Sequence, residues 1–364
     1  MRIEKFQEVL LKKNIDIAVF FSFDELFNKN VYYFTGYKGL GLFSILKNNS
    51  FLIAPEMEYE KAKKIFKKSY KSDNKKRIFE IFFDLINNML NKENNKEKIK
   101  IGIEMSNINL LLFKNIKKYF KRYNNIYFVD ITKDVEYLRL IKDKNEIEKI
   151  KFACNITDYV FEKICKNFNF KSEKELKRFI EFEIKKKDCE LAFEPIVASG
   201  KNSSMPHYNN EKDCKIKKGF LLLDFGAKYK EYCSDMTRML YIGKPSKKEI
   251  YNYNLVLKTL IQCENFVLKN NSVSKIYEKS LNVLDKYQKY FSHSLGHGLG
   301  LDIHEKPSLS KEDKSKLKRN MVFTIEPGIY FENRYGIRIE DTLVYEKNKI
   351  EILTKSKKEL VILR

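Results

Sequence analysis

At 364 residues the chain exceeds the usual single-domain size, so two domains are expected. A hydrophobic content of 43%, with Tyr and Phe but no Trp, supplies ordinary globular cores and excludes a disordered chain. The formal net charge of +22 suggests a nucleic-acid footprint, but the lysines are spread over ordinary helix faces such as 61–68 and no groove-reading motif accompanies them, so no specific nucleic acid is expected as a partner.

In chain order, residues 3–13 carry helical periodicity and Asp16–Phe21 is a short buried-strand pattern. Tyr32-Tyr33-Phe34-Thr35-Gly36 leads into a glycine-rich turn at Gly39 and Gly41. Leu42–Leu46 and Phe51–Ile53 read as strands around a hairpin loop at 47–50, followed by helical patterns at 56–68 and 76–92. The polar run Asn91–Lys98 reads as a solvated loop. Ile99–Glu104 and Ile126–Val129 complete the strands of a small α/β domain, with the domain boundary expected at 132/133. From Val135 to Lys166 the sequence turns strongly helical, with Leu138, Ile141, Ile147, Ile150 and Ala153 at helical spacing. A second helix is expected over Ser172–Lys187, and after Cys189 the pattern changes to short strands, turns and tight glycines.

The six cysteines include no CxxC pair, which argues against a disulfide framework or structural zinc site and for a reducing compartment. The N-terminus shows no signal pattern and no apolar run reaches bilayer length, so a cytoplasmic location without membrane attachment is expected.

The chemistry-bearing residues crowd into the later half, where all four histidines lie: His207, His293, His297 and His304. Gly219–Asp224 is an apolar run ending in a carboxylate, Gly226–Lys230 a turn, and Tyr232–Ile242 a returning strand that carries Asp235. Inward carboxylates without partners are costly, and a metal pair accounts for both. The alternative is that Asp224 belongs to the turn and Asp235 pairs with Arg238. Alternation places Thr237 on the face of Asp235, within reach of a ligand or bridging solvent. In His293–Gly300, glycines on both sides of His297 leave room for close backbone packing. Met321–Ile325 leads as an apolar strand into Glu326-Pro327-Gly328. Gly336–Thr342 alternates strictly, with Arg338, Glu340 and Thr342 on one face, and a same-face Arg338–Glu340 ion pair is the simpler reading there. Asp341 reads as structural. One neutral imidazole with four carboxylates forms a hard, oxygen-rich set with capacity for two divalent metals.

Taken together and in this order, Asp224 and Asp235, then Gly296-His297-Gly298, then Glu326-Pro327-Gly328-Ile329-Tyr330, then Gly336–Asp341, the chain resembles the pita-bread metallopeptidase family. That family includes methionine aminopeptidases, Xaa-Pro aminopeptidases, prolidases and creatinase-type relatives. Tyr33-Phe34-Thr35-Gly36 looks like the creatinase-type accessory domain, and Leu138–Lys142 followed by Glu146–Ile150 looks like the start of the catalytic domain. The resemblance implies an α/β creatinase-like N-terminal domain (1–132) and an α+β pita-bread catalytic domain (133–364).

It further implies that Asp224, Asp235, His297, Glu326 and Glu340 hold two divalent ions, Mn or Co, with Asp235 and Glu340 touching both. By the same resemblance His207 and His304 contact the substrate, His293 and Tyr330 line its pocket, and Arg338 stands beside the final glutamate. The implied reaction is cleavage before proline by a metal-bridging hydroxide, with peptides carrying proline second as substrates and a homodimer as the assembly. Glu326 would relay the proton to the leaving nitrogen, and His207 or His304 would steady the oxyanion, worth about 3–4 kcal/mol. Xaa-Pro aminopeptidase and Xaa-Pro dipeptidase differ in how the N-terminal domain closes the cleft beyond the proline. A non-catalytic pita-bread protein that binds peptide or nucleic acid, or a creatinase-like amidinohydrolase, is the alternative; the intact ligand set weighs against both.

Overall fold

The structure, a computed structural model, describes residues 2–23, 27–90, 98–121, 126–346 and 349–363. The loop expected at 91–98 falls almost wholly outside these residues. The chain divides into two compact units, Met1–Leu138 and Arg139–Arg364. The division lies within helix α6 (Thr132–Leu140), a little beyond 132/133.

The first unit runs α1 (Arg2–Lys13), β1 (Ile17–Ser22), α2 (Lys29–Thr35), β2 (Gly41–Leu46), β3 (Ser50–Pro55), α3 (Glu56–Ile65), β4 (Ser69–Ser72), α4 (Ile78–Leu90), β5 (Ile99–Ile103), α5 (Leu110–Phe120) and β6 (Ile126–Asp130). Its mixed sheet has the order β4-β3-β2-β1-β5-β6. Ile17, Val19, Leu42, Ile53 and Ile101 pack against Phe82, Phe83, Ile116 and Phe120 of α4 and α5. On the opposite face Phe20 and Phe43 cluster with Phe34 of α2, and Phe6 of α1 joins Phe20 and Phe34. Burial on both faces is why these strands read as continuous apolar runs. Residues 32–35 end α2, which Asn28 caps and Gly36 stops at φ 78°, a left-handed conformation suited to glycine. The helix expected to reach 68 stops at Ile65, and the chain turns into β4.

In the second unit, α7 (Lys144–Lys166), α8 (Glu173–Lys185), α9 (Lys247–Val267) and α10 (Val273–Leu284) accompany a sheet of β8 (Ile196–Ser199), β9 (Gly219–Phe225), β12 (Met236–Ile242) and β20 (Val361–Leu363), ordered β20-β12-β9-β8. Phe220, Leu222 and Met239 share a core with Val256 and Leu260 of α9, while Leu221, Leu223 and Leu240 share one with Phe161 of α7 and Ile180 of α8. A second sheet, β14-β13-β15-β18-β19, is built from β13 (His297–Gly298), β14 (Glu305–Ser308), β15 (Val322–Ile325), β18 (Asp341–Glu346) and β19 (Lys349–Ile352).

Four expectations are corrected. The helical stretch 135–166 is two helices, because Asp143 and Glu146 form a capping box that starts α7 afresh. Two long helices, α9 and α10, interrupt what reads as strands and turns after Cys189, and α9 also opens on a capping box, Ser246 with Glu249. The returning strand 232–242 is divided: β11 (Tyr232–Cys233) pairs with β10 (Ala227–Tyr229), which pairs in turn with β7 (Glu190–Leu191), and β12 begins only at Met236. The alternating stretch 336–342 belongs to two sheets, since β17 (Tyr335–Arg338) pairs with β16 (Gly328–Phe331) and β18 pairs with β15. Ile339 and Glu340 form the crossing between them.

Among the described residues no helix is long and apolar enough to cross a membrane. All six cysteines are free thiols.

Candidate metal centre

Strand register assembles the site. Antiparallel pairing of β9 with β12 sets Thr237 opposite Asp224, and Asp235 immediately precedes β12. Gly298 pairs with Phe323 of β15, so His297 lies near Glu326, which follows that strand. Ile325 pairs with Asp341, which brings Glu340 to the same end of the sheet. Ligand atoms of Asp235, His297 and Glu340 thereby lie within 4.8 Å of one another. His297 Nε2 is 3.5 Å from Asp235 Oδ2 and 3.5 Å from Glu326 Oε1. Asp224 joins through Arg338, whose Nη2 is 2.6 Å from Asp224 Oδ2.

The glycines around His297 are required by close backbone approach: a Cβ at Gly296 would overlap the Thr324 carbonyl, and one at Gly298 the Lys306 carbonyl. The His297 amide donates to Thr324 Oγ1 (3.1 Å), and its Nδ1 stands 3.1 Å from the Gly298 carbonyl. A proton on Nδ1 for that carbonyl leaves the Nε2 lone pair aimed at two carboxylates. Burial, then nearby His304, lowers the His297 pKa to about 4, so the ring is neutral at ordinary pH.

Three buried carboxylate oxygens, Asp224 Oδ1, Asp235 Oδ1 and Glu340 Oε1, have no hydrogen-bond partner. Burial first, then repulsion from Glu340, pushes Asp235 well above the usual carboxylate range, and burial, then Glu326 and Asp224, does the same to Glu340. Burial likewise lifts Glu326 to about 8, with Asp224 adding to the effect. Buried acceptors without donors are unfavourable until cations stand among them, and hard oxygen donors with one imidazole suit divalent ions. Asp235, His297 and Glu340, with Glu326 beside His297, therefore have the donor chemistry that suits a metal ion.

The remaining histidines surround this cluster. The His304 ring is 4.4 Å from that of His297, centroid to centroid, and the ring is exposed. Burial of part of the ring and the proximity of His207 lower its pKa. His207 is also exposed, on the Pro206-His207-Tyr208 segment, where the Pro206 carbonyl accepts from Arg338 Nη1 (3.4 Å). Arg338 Nη1 also donates to Tyr330 OH (2.8 Å), Tyr330 lies 3.0 Å from His293 Nε2, and His293 Nδ1 lies 2.7 Å from the Ser294 carbonyl. Burial, then Arg338, lowers the His293 pKa to about 4. The chain of donors is therefore directed from Arg338 through Tyr330 to a neutral His293.

Residues 148–347 match the model of metallopeptidase family M24, and residues 2–141 match the creatinase/prolidase N-terminal domain. The chain belongs to family M24. It is 36% identical to an Xaa-Pro dipeptidase of Pyrococcus furiosus over 91% of this chain and 92% of that one. Among solved structures it is similar to a dipeptidase of Pyrococcus horikoshii OT3 (TM-score 0.88, 32% identity, 100% of both chains). It is also similar to an X-Pro aminopeptidase of Thermotoga maritima MSB8 (TM-score 0.85, 30% identity, 98% of this chain and 100% of that one). The two-domain architecture, a creatinase-type N-terminal domain followed by a pita-bread catalytic domain, is thus the fold of this M24 metallopeptidase.

Several simpler pairings expected around the M24 centre do not form. Arg338 meets Asp224 and, through Nε, Thr237 Oγ1 (3.0 Å), rather than Glu340. Asp224 lies within β9, not in the turn after it. Arg238 does not pair with Asp235: its guanidinium bonds Asp341 Oδ1 (2.7 Å), the Ser356 carbonyl (3.0 Å) and the Glu340 carbonyl. Thr237 hydrogen-bonds a candidate ligand, donating to Glu340 Oε2 (2.8 Å).

Sequence reasoning missed the supporting residues. Thr342 donates to the Asp235 carbonyl (2.7 Å), Thr324 holds the His297 amide, and Arg238 pins the backbone of Glu340. An arginine inside the largely apolar strand Met236–Ile242 marks Arg238 as a residue in need of a partner, without naming that partner. Glu305, beside His304, is clamped by Lys142 Nζ (3.0 Å) and Arg139 Nη2 (2.5 Å). Burial opposes its charge, but those two cations hold its pKa at about 2.

Proposed function

We propose that this chain is an Xaa-Pro peptidase, most simply an Xaa-Pro dipeptidase, in which Asp224, Asp235, His297, Glu326 and Glu340 hold two divalent ions, Mn or Co. The observation that carries the reading is the clustering of ligand atoms of Asp235, His297 and Glu340 within 4.8 Å of one another, beside buried oxygens of Asp224, Asp235 and Glu340 that have no hydrogen-bond partner. The whole-length likeness to a protein named Xaa-Pro dipeptidase supports the substrate class. When bound, the ions supply positive charge that acidifies a water near neutrality and polarises the scissile carbonyl.

The chain's own residues do the rest. Glu326, with Oε1 3.5 Å from His297 Nε2 and Oε2 4.0 Å from His293 Nδ1, accepts the proton of the attacking water and returns it to the leaving nitrogen. A proline nitrogen leaves a tertiary amide, so it must gain that proton to depart as an amine. His207 and His304 donate to the oxyanion, a contribution of about 3–4 kcal/mol for a well-placed donor. Arg338 neutralises part of the carboxylate cluster and fixes Tyr330 and His293 as the pocket wall. A homodimer in a reducing, cytoplasmic setting belongs to the same reading, and the six free thiols support that compartment.

The test is hydrolysis of an Xaa-Pro dipeptide and an Xaa-Pro-Xaa tripeptide by Mn-supplemented protein, with Glu340→Ala as control. Cleavage of the dipeptide alone marks a dipeptidase, and cleavage of both marks an aminopeptidase. Inertness toward both overturns the proposal.

A further inference from the structure

The segment that carries His207 is anchored by a buried carboxylate outside the candidate centre. Glu173 is the first residue of α8, follows the N-cap Ser172, and is fully buried. Its Oε1 accepts from the Ser199 amide (2.7 Å), Ser199 Oγ (2.9 Å) and Asn202 Nδ2 (3.0 Å). Its Oε2 accepts from Tyr208 OH (2.9 Å), and more weakly from Asn202 Nδ2 (3.2 Å) and Asn210 Nδ2 (3.4 Å). Ser199 and Asn202 precede His207, while Tyr208 and Asn210 follow it, so one carboxylate gathers both arms of the loop. A buried carboxylate is tolerated only when donors fill its lone pairs. Here the loop supplies those donors, so the charge and the loop conformation require each other.

The loop's other side rests on β17. Ser203 Oγ accepts from the Gly336 amide (2.9 Å), a Cβ at Gly336 would overlap the Ser203 carbonyl, and the Pro206 carbonyl meets Arg338. The segment that carries the exposed His207 is thus held between Glu173 and the strand that bears Arg338.

We propose that Glu173 is a positioning residue for the reaction: its charge fixes the 199–210 loop so that His207 meets the substrate. This rests on the substrate-contacting role given to His207 above. The test is a double-mutant cycle on Xaa-Pro hydrolysis with Glu173→Gln and His207→Ala, alone and combined, with bound metal and Tm measured for each. Glutamine puts an NH2 donor among donors, so the loop shifts while the fold has a near-isosteric side chain. We expect Glu173→Gln alone to lower kcat roughly 10–100-fold at nearly constant KM and unchanged metal content, as for a misplaced catalytic group. In the His207→Ala background the same change is expected to alter kcat less than about twofold, the signature of two residues acting as a unit.

Equal losses in both backgrounds, or wild-type activity of Glu173→Gln, overturn the proposal. His207→Ala that is as active as the parent overturns it at its premise, independently of Glu173. If Glu173→Gln fails to fold, Tyr208→Phe removes a single donor and carries the same test: a fall in kcat confined to the background with His207 supports the proposal, and any other pattern overturns it.

Discussion

Metal-free protein is expected to lose stability as pH rises above neutrality, and divalent metal is expected to reduce that loss. Glu326 has its pKa raised from 4.5 to about 8 by burial and by Asp224. A group raised in this way contributes stability that is fully present below its unfolded value and is lost as pH climbs through its folded value. His293 and His297, lowered from 6.5 to about 4, act in the opposite sense, but their contribution is complete once pH exceeds 6.5. Above pH 6.5 the buried carboxylates dominate, and they include Glu264 outside the centre, which burial and then Asp341 also raise to about 8. At ~1.4 kcal/mol per pH unit, Glu326 by itself costs about 2 kcal/mol between pH 6.5 and 8. Asp235 and Glu340, raised for the same reasons, add in the same direction. For a domain of this size about 2–4 °C of Tm accompanies each kcal/mol, so a fall of roughly 4–8 °C or more is expected. The assay is thermal unfolding of chelator-treated protein at the two pH values, with and without Mn. Bound metal takes the place of protons, so the Tm rises and the centre's share of its decline with pH disappears. Glu326→Gln removes the Glu326 share of the slope. A metal-free Tm that is flat or rises over this interval refutes the reasoning.

Arg338→Ala leaves Asp224 buried without its cation; breaking such a pair costs about 3–5 kcal/mol, read as a drop in Tm of metal-free protein that bound metal partly restores. Gly298→Ala drives a Cβ into the Lys306 carbonyl, which is expected to cost about 1–3 kcal/mol and to displace His297, so elemental analysis finds less metal per chain than in the parent. Asp143→Ala removes the capping box of α7 and lowers the unfolding free energy by about 1 kcal/mol in urea titration, with kcat unchanged.

The residues of the candidate site stand out in the sequence more than the secondary structure around them. Gly296 and Gly298 flag His297 because glycine on both sides of one histidine has few uses other than close approach, and the structure shows both approaches. Asp224 was visible as a charge ending an apolar run. The split between α6 and α7 was hidden because apolar spacing continues across it; only the Asp143 and Glu146 cap marks the break. The division of 336–342 was hidden for a related reason: alternation persists through Ile339 and Glu340 while the pairing partner changes from β16 to β15. The partners of Arg338 and Arg238 depend on residues about a hundred positions away, Asp224 and Asp341, and no local pattern encodes such contacts.

The most direct test of the central claim is a titration of chelator-stripped protein with Mn, following bound metal and Xaa-Pro hydrolysis in the same samples, with an Xaa-Ala dipeptide as contrast. Stripped protein is expected to be inactive, with activity rising until two ions are bound per chain, loss of that binding in Glu340→Ala, and selective cleavage of the proline peptide. Full activity without metal, or equal cleavage of Xaa-Ala, would contradict it.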